Sequence, residues 1–182
     1  MPPRKESPFK VLSSRVAWSC PWYQVRQDKL LTPSGERATY NVISKGPAVW
    51  IVPITSQGEV VMIYHYRHTV EEWCWEVPAG SEKPGQTLAE AAAEELLEEV
   101  GGRAAQLSYV APFYASTCIC SEPGHIFLAT DVEIGAAARE ATEVMERHLK
   151  PLSEALTLAK SGAVRDGPSA LALLLCAEKV AP

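Results

Sequence analysis

The sequence has no apolar run near the ~20 residues that crossing a bilayer requires, so no membrane span is expected. Its opening, Met1-Pro2-Pro3-Arg4-Lys5-Glu6-Ser7-Pro8, is not followed by an apolar stretch of signal-peptide length, which predicts a cytoplasmic protein. Positive charge is not in excess. The formal net charge is -5, which argues against nucleic acid or an anionic membrane as a partner. The cysteines number five (Cys20, Cys74, Cys118, Cys120 and Cys176) and include no CxxC pair, so neither a disulfide framework nor a structural zinc site is expected. Cys118 and Cys120 would share one face of a strand, either as a metal or redox pair or as incidental thiols. There is no internal repeat and no low-complexity tract. Finally, no Lys or Arg occurs between Pro84 and Gly102, a stretch rich in glutamate.

What is present is enough for a full core: 182 residues, 47% of them hydrophobic. Residues 1 to about 10 are rich in proline and charge and are expected to be mobile. Strand-like segments at 11–18, 23–31 and 37–44, with a turn signal at Thr32-Pro33-Ser34-Gly35-Glu36, predict a small separate β-meander over residues 1–45. Gly46-Pro47 marks a break before a second domain, 46–182. There, strands are predicted at 48–54, 60–66, 73–77, 107–111 and 124–131. Residues 132–142 read as a loop and 149–152 as a short strand or turn. Helices are predicted over about 88–100, 153–160 and 169–178. Strands broken by a few helices, without regular βαβ alternation, predict an α+β fold with a mixed sheet between helices.

The helix over 88–100 is the most informative segment. Thr87 and Glu90 fit a capping box, and Gly101 stands where a left-handed cap is wanted. Ala89, Ala93, Leu96, Leu97 and Val100 predict the face packed on the core. Glu94, Glu95, Glu98 and Glu99 crowd the other side. Glu94 with Glu98 and Glu95 with Glu99 are like-charge pairs at i,i+4, each costing roughly 0.2–0.5 kcal/mol. They also sit at the helix end whose dipole prefers cations, a further cost of about 0.3–1 kcal/mol per charge. A solvated acidic face is the plain explanation. A bound divalent cation explains why the carboxylates break both rules, and oxygen ligands at this spacing suit Mg²⁺ or Mn²⁺ better than zinc.

The stretch from Gly80 to Gly101 resembles a Nudix box: Gly, five residues, Glu, seven residues, Arg-Glu, an aliphatic, any residue, Glu-Glu, any residue, Gly. The spacing matches throughout. Trp75-Glu76-Val77-Pro78-Ala79, Tyr66-Arg67-His68 and Trp22-Tyr23-Gln24-Val25-Arg26 are similar to the ADP-ribose pyrophosphatase branch, so the resemblance runs from about Val11 to Glu178. Two positions depart: Gln86 stands where the box has Glu, and Glu94 where it has Arg. The second change leaves the neighbouring carboxylates without their expected orienting cation.

The resemblance implies a Nudix α/β/α sandwich preceded by a small antiparallel β domain that helps form a homodimer. It implies hydrolysis of a nucleoside-diphosphate-linked small molecule, most simply ADP-ribose to AMP and ribose 5-phosphate. Two or more Mg²⁺ or Mn²⁺ ions would be held by Glu95, Glu98, Glu99 and the backbone carbonyl of Ala79, with Glu98 shared between ions in a catalytic role. Arg67 is the candidate phosphate clamp, or else a surface Arg paired to Glu71 or Glu72. Glu76 would contact ribose or base, or form a structural ion pair. Trp22 would stack on the base across the dimer, or fill the core of the small sheet. Glu122 is a further substrate contact. The catalytic base is expected on a loop after the box, at Glu143 or, second, Glu140. Other sugar nucleotides or dinucleotides such as GDP-mannose or FAD stay open as substrates, as does a catalytically weak nucleotide-sugar-binding regulatory module.

Overall fold

The computed structural model describes residues 6–139 and 142–180. Of the segment 1 to about 10 expected to be mobile, residues 1–5 lie outside the described residues, as do Glu140 and Ala141. The chain divides into two compact units: residues 1–46 with 116–122, and residues 47–115 with 123–182.

The first unit is an antiparallel meander of β1 (Lys10–Ser19), β2 (Gln24–Leu31) and β3 (Arg37–Ser44), in the order β1-β2-β3. Gly35 turns the chain between β2 and β3 at φ +84, where glycine carries no steric cost. The segment 116–122 joins this sheet: Ile43 and Cys120 form a parallel bridge, and Ser121 N–H donates to the Ile43 carbonyl at 3.0 Å. Cys118 and Cys120 thus do not lie on a regular strand. Residues 117–119 are a turn, closed by Ile119 and Cys120 N–H groups that both donate to the Ser116 carbonyl.

The second unit contains β4 (Ala48–Pro53), β5 (Glu59–Arg67), β6 (Glu72–Glu76), β7 (Ala79–Ser81), α1 (Leu88–Val100), β8 (Gly102–Tyr114), β9 (Pro123–Ile134), β10 (Met145–Pro151), α2 (Leu152–Ser161) and α3 (Gly167–Val180). One sheet runs β10-β5-β6 and the other β7-β4-β9-β8. β4 and β9 are parallel and all other pairs antiparallel, so the second sheet is mixed. Strand alternation sends successive residues to opposite faces. Val49, Ile51, Val61, Ile63, Phe127 and Ala129 pack with Ala91, Ala92, Leu96 and Val100 of α1. Val52, Val60, Met62, Ile126 and Leu128 pack on the other side with Ala155 and Ala159 of α2 and Ala172, Leu173 and Cys176 of α3. This is the expected layering of helices on both sides of the strands. Among the described residues, no helix is long and apolar enough to cross a membrane.

Three expectations are revised. β8 and β9 outrun the predicted 107–111 and 124–131, because pairing continues through exposed polar positions such as Arg103 and Glu133, where the apolar pattern fades. β10 starts at Met145, paired with His65, rather than at 149. The buried face of α1 is Ala91, Ala92, Leu96 and Val100, together with Glu99; Ala89 and Ala93 are exposed. A run of alanines carries little periodicity. The larger Leu96 and Val100 set the helix rotation, and that rotation draws Glu99 inward.

The helix is bounded as its sequence predicts. Thr87 and Glu90 form the capping box, and Gly101 caps the other end at φ +68, its N–H reaching Leu97 and Leu96 carbonyls. A Cβ at Gly101 would also meet the Gly135 carbonyl oxygen at 2.5 Å. We expect Gly101→Ala to lower stability by at least about 1–2 kcal/mol, the ordinary cost of the left-handed backbone for an L residue. A reduced urea midpoint at unchanged slope is the expected reading. An unchanged midpoint would mean the helix end relaxes freely away from residue 135.

Candidate active site

α1 carries its carboxylates on the side turned toward β7. Glu99 is 3% exposed, and its Oε2 accepts the Ala79 N–H at 2.9 Å. One turn earlier, Glu95 faces the backbone of Gly80 so closely that a Cβ at that position would overlap its carboxylate. Pro78-Ala79-Gly80 thus brings backbone against the glutamates, and any side chain at position 80 would have to displace the Glu95 carboxylate. Glu98 stands further out, half-exposed, with Lys83 Nζ 3.8 Å from its Oε1.

The electrostatics are unfavourable for these carboxylates as they stand. Burial pushes the Glu99 carboxyl up to about 8, with the charges of Glu95 and Glu143 adding to it against the Ala79 hydrogen bond and Arg67. Burial pushes Glu95 up to about 7, with Glu98, Glu143 and Glu94 adding and Lys83 opposing. Among the described residues, no three acidic, histidine or cysteine groups close into a metal cage. The arrangement is an open acidic wall. Desolvated oxygens that repel one another, backed by main chain, are a donor set that fits a hard divalent cation.

Arg67 reaches the same face from the end of β5. Its Nε donates to Glu76 Oε1 at 2.9 Å and its Nη2 to Oε2 at 2.5 Å, a bidentate fork. Burial works against the Arg67 charge, yet the bonds and charge of Glu76 outweigh it and hold the pKa above its usual value. Burial raises the Glu76 carboxyl despite Arg67, because Glu76 is the more deeply covered partner. Arg67 is therefore not paired to Glu71 or Glu72; Glu72 instead pairs with Arg165. The fork occupies Nε and Nη2, leaving the Nη1 edge outside the pair. His65 shares this face, buried, its Nδ1 without a hydrogen-bond partner among the described residues. Burial, then Arg67 and Arg139, depress its pKa to about 4.

The two departures from the box lie together at its edge. Gln86 Nε2 donates to Glu94 Oε2 at 2.5 Å, and Gln86 Oε1 accepts the Lys83 N–H at 3.1 Å. Lys83 Nζ lies 2.9 Å from Glu94 Oε1. Glu94 is held below the usual carboxylate range by Lys83 first and Gln86 second. The expectation that Glu94 leaves its neighbours without a cation is corrected: Lys83, from the loop before the helix, supplies one. It lies one residue before the stretch that lacks basic residues, and its signal was its place inside the box.

The structure thus brings Ala79, Glu95, Glu98, Glu99, Arg67 and Glu76 to one face of the second unit, with Glu143 close enough for its charge to act on Glu95 and Glu99. Glu140 lies outside the described residues. Trp22 and Glu122 belong to the first unit. Trp22 is 75% exposed, so it does not fill the core of the small sheet. Lys45 Nζ stands 2.6 Å from Glu122 Oε1, near enough for an ion pair though not aligned as a hydrogen bond.

The chain is similar to known proteins. A family profile of the NUDIX domain matches residues 44–171. An ADP-ribose pyrophosphatase of Bacillus subtilis (strain 168) is 31% identical over 146 residues, covering 78% of this chain and 77% of that protein. An ADP-ribose pyrophosphatase of Mycobacterium tuberculosis (strain ATCC 25618 / H37Rv) is 31% identical over 153 residues, covering 82% of this chain and 74% of that protein. The crystal structure of an ADP compounds hydrolase superposes with a TM-score of 0.84 at 23% identity, covering 98% of this chain and 97% of that one, which bears on the fold.

In the unfolded chain Glu95 and Glu99 would ionise near 4.5, whereas folded they keep protons to about 7 and about 8. Over that interval the folded chain binds more protons than the unfolded one, so stability is lost as pH rises. His65 works in the opposite sense, with a folded pKa of about 4 against 6.5, so its effect is complete above about pH 6.5. We therefore expect the melting temperature in chelator to fall between about pH 6.5 and 8.5. Added Mg²⁺ should restore it more at the upper end, where the carboxylates bind without first losing a proton. A melting temperature flat across this window, with and without Mg²⁺, would contradict the electrostatics of the site.

Proposed function

Because the chain belongs to the Nudix hydrolase family, we propose that it hydrolyses the pyrophosphate of ADP-ribose to AMP and ribose 5-phosphate with the help of divalent cations. The observation that carries this reading is the pair of desolvated, mutually repelling carboxylates, half-buried Glu95 and buried Glu99, with Arg67 in electrostatic reach of Glu99. The substrate follows the similarity to the two ADP-ribose pyrophosphatases.

Glu95, Glu98, Glu99 and the Ala79 carbonyl would hold two or more Mg²⁺ or Mn²⁺ ions, which when bound offset the charge of the pyrophosphate and acidify a water. Arg67 presents its Nη1 edge to a substrate phosphate, and the fork from Glu76 fixes the plane of the guanidinium. Glu76 has both oxygens committed to Arg67, so its part is to orient that arginine rather than to touch ribose. Glu143 takes the proton of the attacking water, and the water oxygen bonds to phosphorus as the bridging oxygen leaves. Glu140 keeps second place as the base. Glu122 remains a candidate substrate contact.

We also infer a homodimer. β1 is exposed along its whole length, including Val11, Leu12, Val16 and Trp18, and Trp22 stands open beyond it. A second copy of this chain would cover that row, and its Trp22 would stack on the adenine of the facing site. Sedimentation at micromolar concentration should give a dimer; a monomer would remove this role for Trp22.

A substrate panel of ADP-ribose, GDP-mannose, UDP-glucose, FAD, NADH and dNTPs, with products read by chromatography, tests the activity. ADP-ribose should be preferred, with turnover abolished by chelator. Glu99→Gln should reduce the rate by roughly 10–100-fold or more, and Glu143→Gln by about 10²–10⁴-fold. Tight binding of one member without product would replace hydrolysis with the binding-module reading.

A further inference from the structure

The end of α1 that carries Glu98 and Glu99 has no basic residue in its last turn, and its final carbonyls need donors from elsewhere. Two stretches of chain, 135–139 and 143–147, provide them. Ala138 N–H donates to the Glu98 carbonyl at 2.9 Å. Arg139 Nε donates to the Glu99 carbonyl at 2.8 Å, and Arg147 Nη1 to the Val100 carbonyl at 2.6 Å. Gly135 N–H donates to the Gly101 carbonyl at 2.8 Å. Four successive carbonyls are thus taken in order by one region remote in sequence.

Each guanidinium also holds its own region together. Arg139 Nη1 donates to the Met145 carbonyl at 2.7 Å, spanning the stretch that contains Glu143. Arg147 Nη1 also donates to the Gly135 carbonyl at 2.9 Å. Next to Glu143, the Val144 carbonyl accepts the Tyr66 N–H at 3.0 Å, which ties the stretch to β5 one residue before Arg67. The backbone bearing Glu143 is therefore bonded to the helix of the acidic wall on one side and to the strand of Arg67 on the other.

We propose that Arg139 is a positioning residue for the reaction: it fixes Glu143 relative to Glu95 and Glu99 by joining the Glu99 and Met145 carbonyls through one guanidinium. Arg147 supports it at the next carbonyl. The two positive charges also oppose the helix dipole at the end where the glutamates are crowded. Lysine cannot reproduce the join, because a point ammonium lacks the planar fork that reaches two carbonyls in fixed directions. The inference rests on the reading of Glu143 as the base.

The test is a double-mutant cycle between Arg139→Ala and Glu143→Gln in the full chain, with Arg139→Lys alongside. Arg139→Ala should lower kcat for ADP-ribose by roughly 10–100-fold, the usual cost of losing a partner that orients a functional group. KM should change far less, and Mn²⁺ binding, read by electron paramagnetic resonance without substrate, should persist. In the Glu143→Gln background the same change should cost nearly nothing, since the group it positions is already gone. Arg139→Lys, which keeps the charge and serves if the alanine variant does not fold, should show the same loss in smaller measure. Amide exchange at Ala138 and Tyr66 should quicken in both variants while the interior of α1 stays protected. Independent, multiplying losses in the cycle would overturn the proposal, as would unchanged exchange at those two amides. Full activity of Glu143→Gln alone would instead refute the base assignment, and exchange at Ala138 and Tyr66 would then decide by itself whether Arg139 positions this stretch.

Discussion

Glu95 and Glu99 sit one turn apart, at the helix end whose dipole opposes them, and burial removes the water that would screen their charges. Much of the second unit can be understood as a response to that placement. Ala79 donates a backbone N–H to Glu99, which requires β7 to run close against the helix, and Gly80 makes the approach sterically possible. Arg67 faces Glu99 from β5 and is kept in plane by Glu76. Arg139 and Arg147 close the helix end from behind. Each partner addresses a different part of the penalty, and together they leave two carboxyls that still hold protons near neutral pH. A divalent cation, of the kind Nudix hydrolases generally use, would complete the set by neutralising charges that the protein arranges at this wall.

The outer edge of the box follows a different logic. Lys83 is 55% exposed, and an exposed ion pair contributes little to stability by itself. Its effect is geometric: together Lys83, Gln86 and Glu94 form a small closed network that fixes the loop before α1 to the exposed side of the helix. Positive charge that the resemblance led one to expect on the helix comes instead from the loop, and negative charge moves onto the helix. The two departures at Gln86 and Glu94 thus read as one exchange rather than two losses.

Much of this was legible in the sequence because it depends on local chemistry. The capping box of Thr87 and Glu90, Gly101 as a left-handed cap, and the N-terminal meander each follow from short-range rules and occur where those rules place them. The buried strands over 48–54 and 60–66 were equally plain from their apolar runs. The rotation of α1 was not, because Ala89, Ala91, Ala92 and Ala93 are nearly interchangeable in hydrophobicity and only packing decides which turn inward. Arg139 carried no signal at all. It lies in a stretch of small residues that reads as a linker, and it bonds to a carbonyl forty residues earlier as well as to one six residues later. The pairing of Arg67 with Glu76 was not legible either: the register sets Arg67 opposite Glu72, yet Glu72 pairs with Arg165 and Arg67 reaches along the same face to the buried Glu76, opposite Ile63.

The balance between an enzyme and a binding module turns on which carboxylates were kept. Gln86 and Glu94 differ from the box at its exposed rim, where substitution is inexpensive and Lys83 absorbs the change. Glu95 and Glu99 are the costly ones: desolvated, mutually repelling and opposed by the helix dipole. A module that only held a nucleotide would gain stability by replacing them with neutral side chains of similar shape, since burying like charges without a counter-ion is among the more expensive arrangements in a folded protein. They lie at the most buried part of the wall, and the stretch containing Glu143 is joined to the same helix end through Arg139, which supports the proposed handling of cations and a reacting water. The departures at the rim can then alter how loop and helix meet without removing the carboxylates proposed to carry the chemistry.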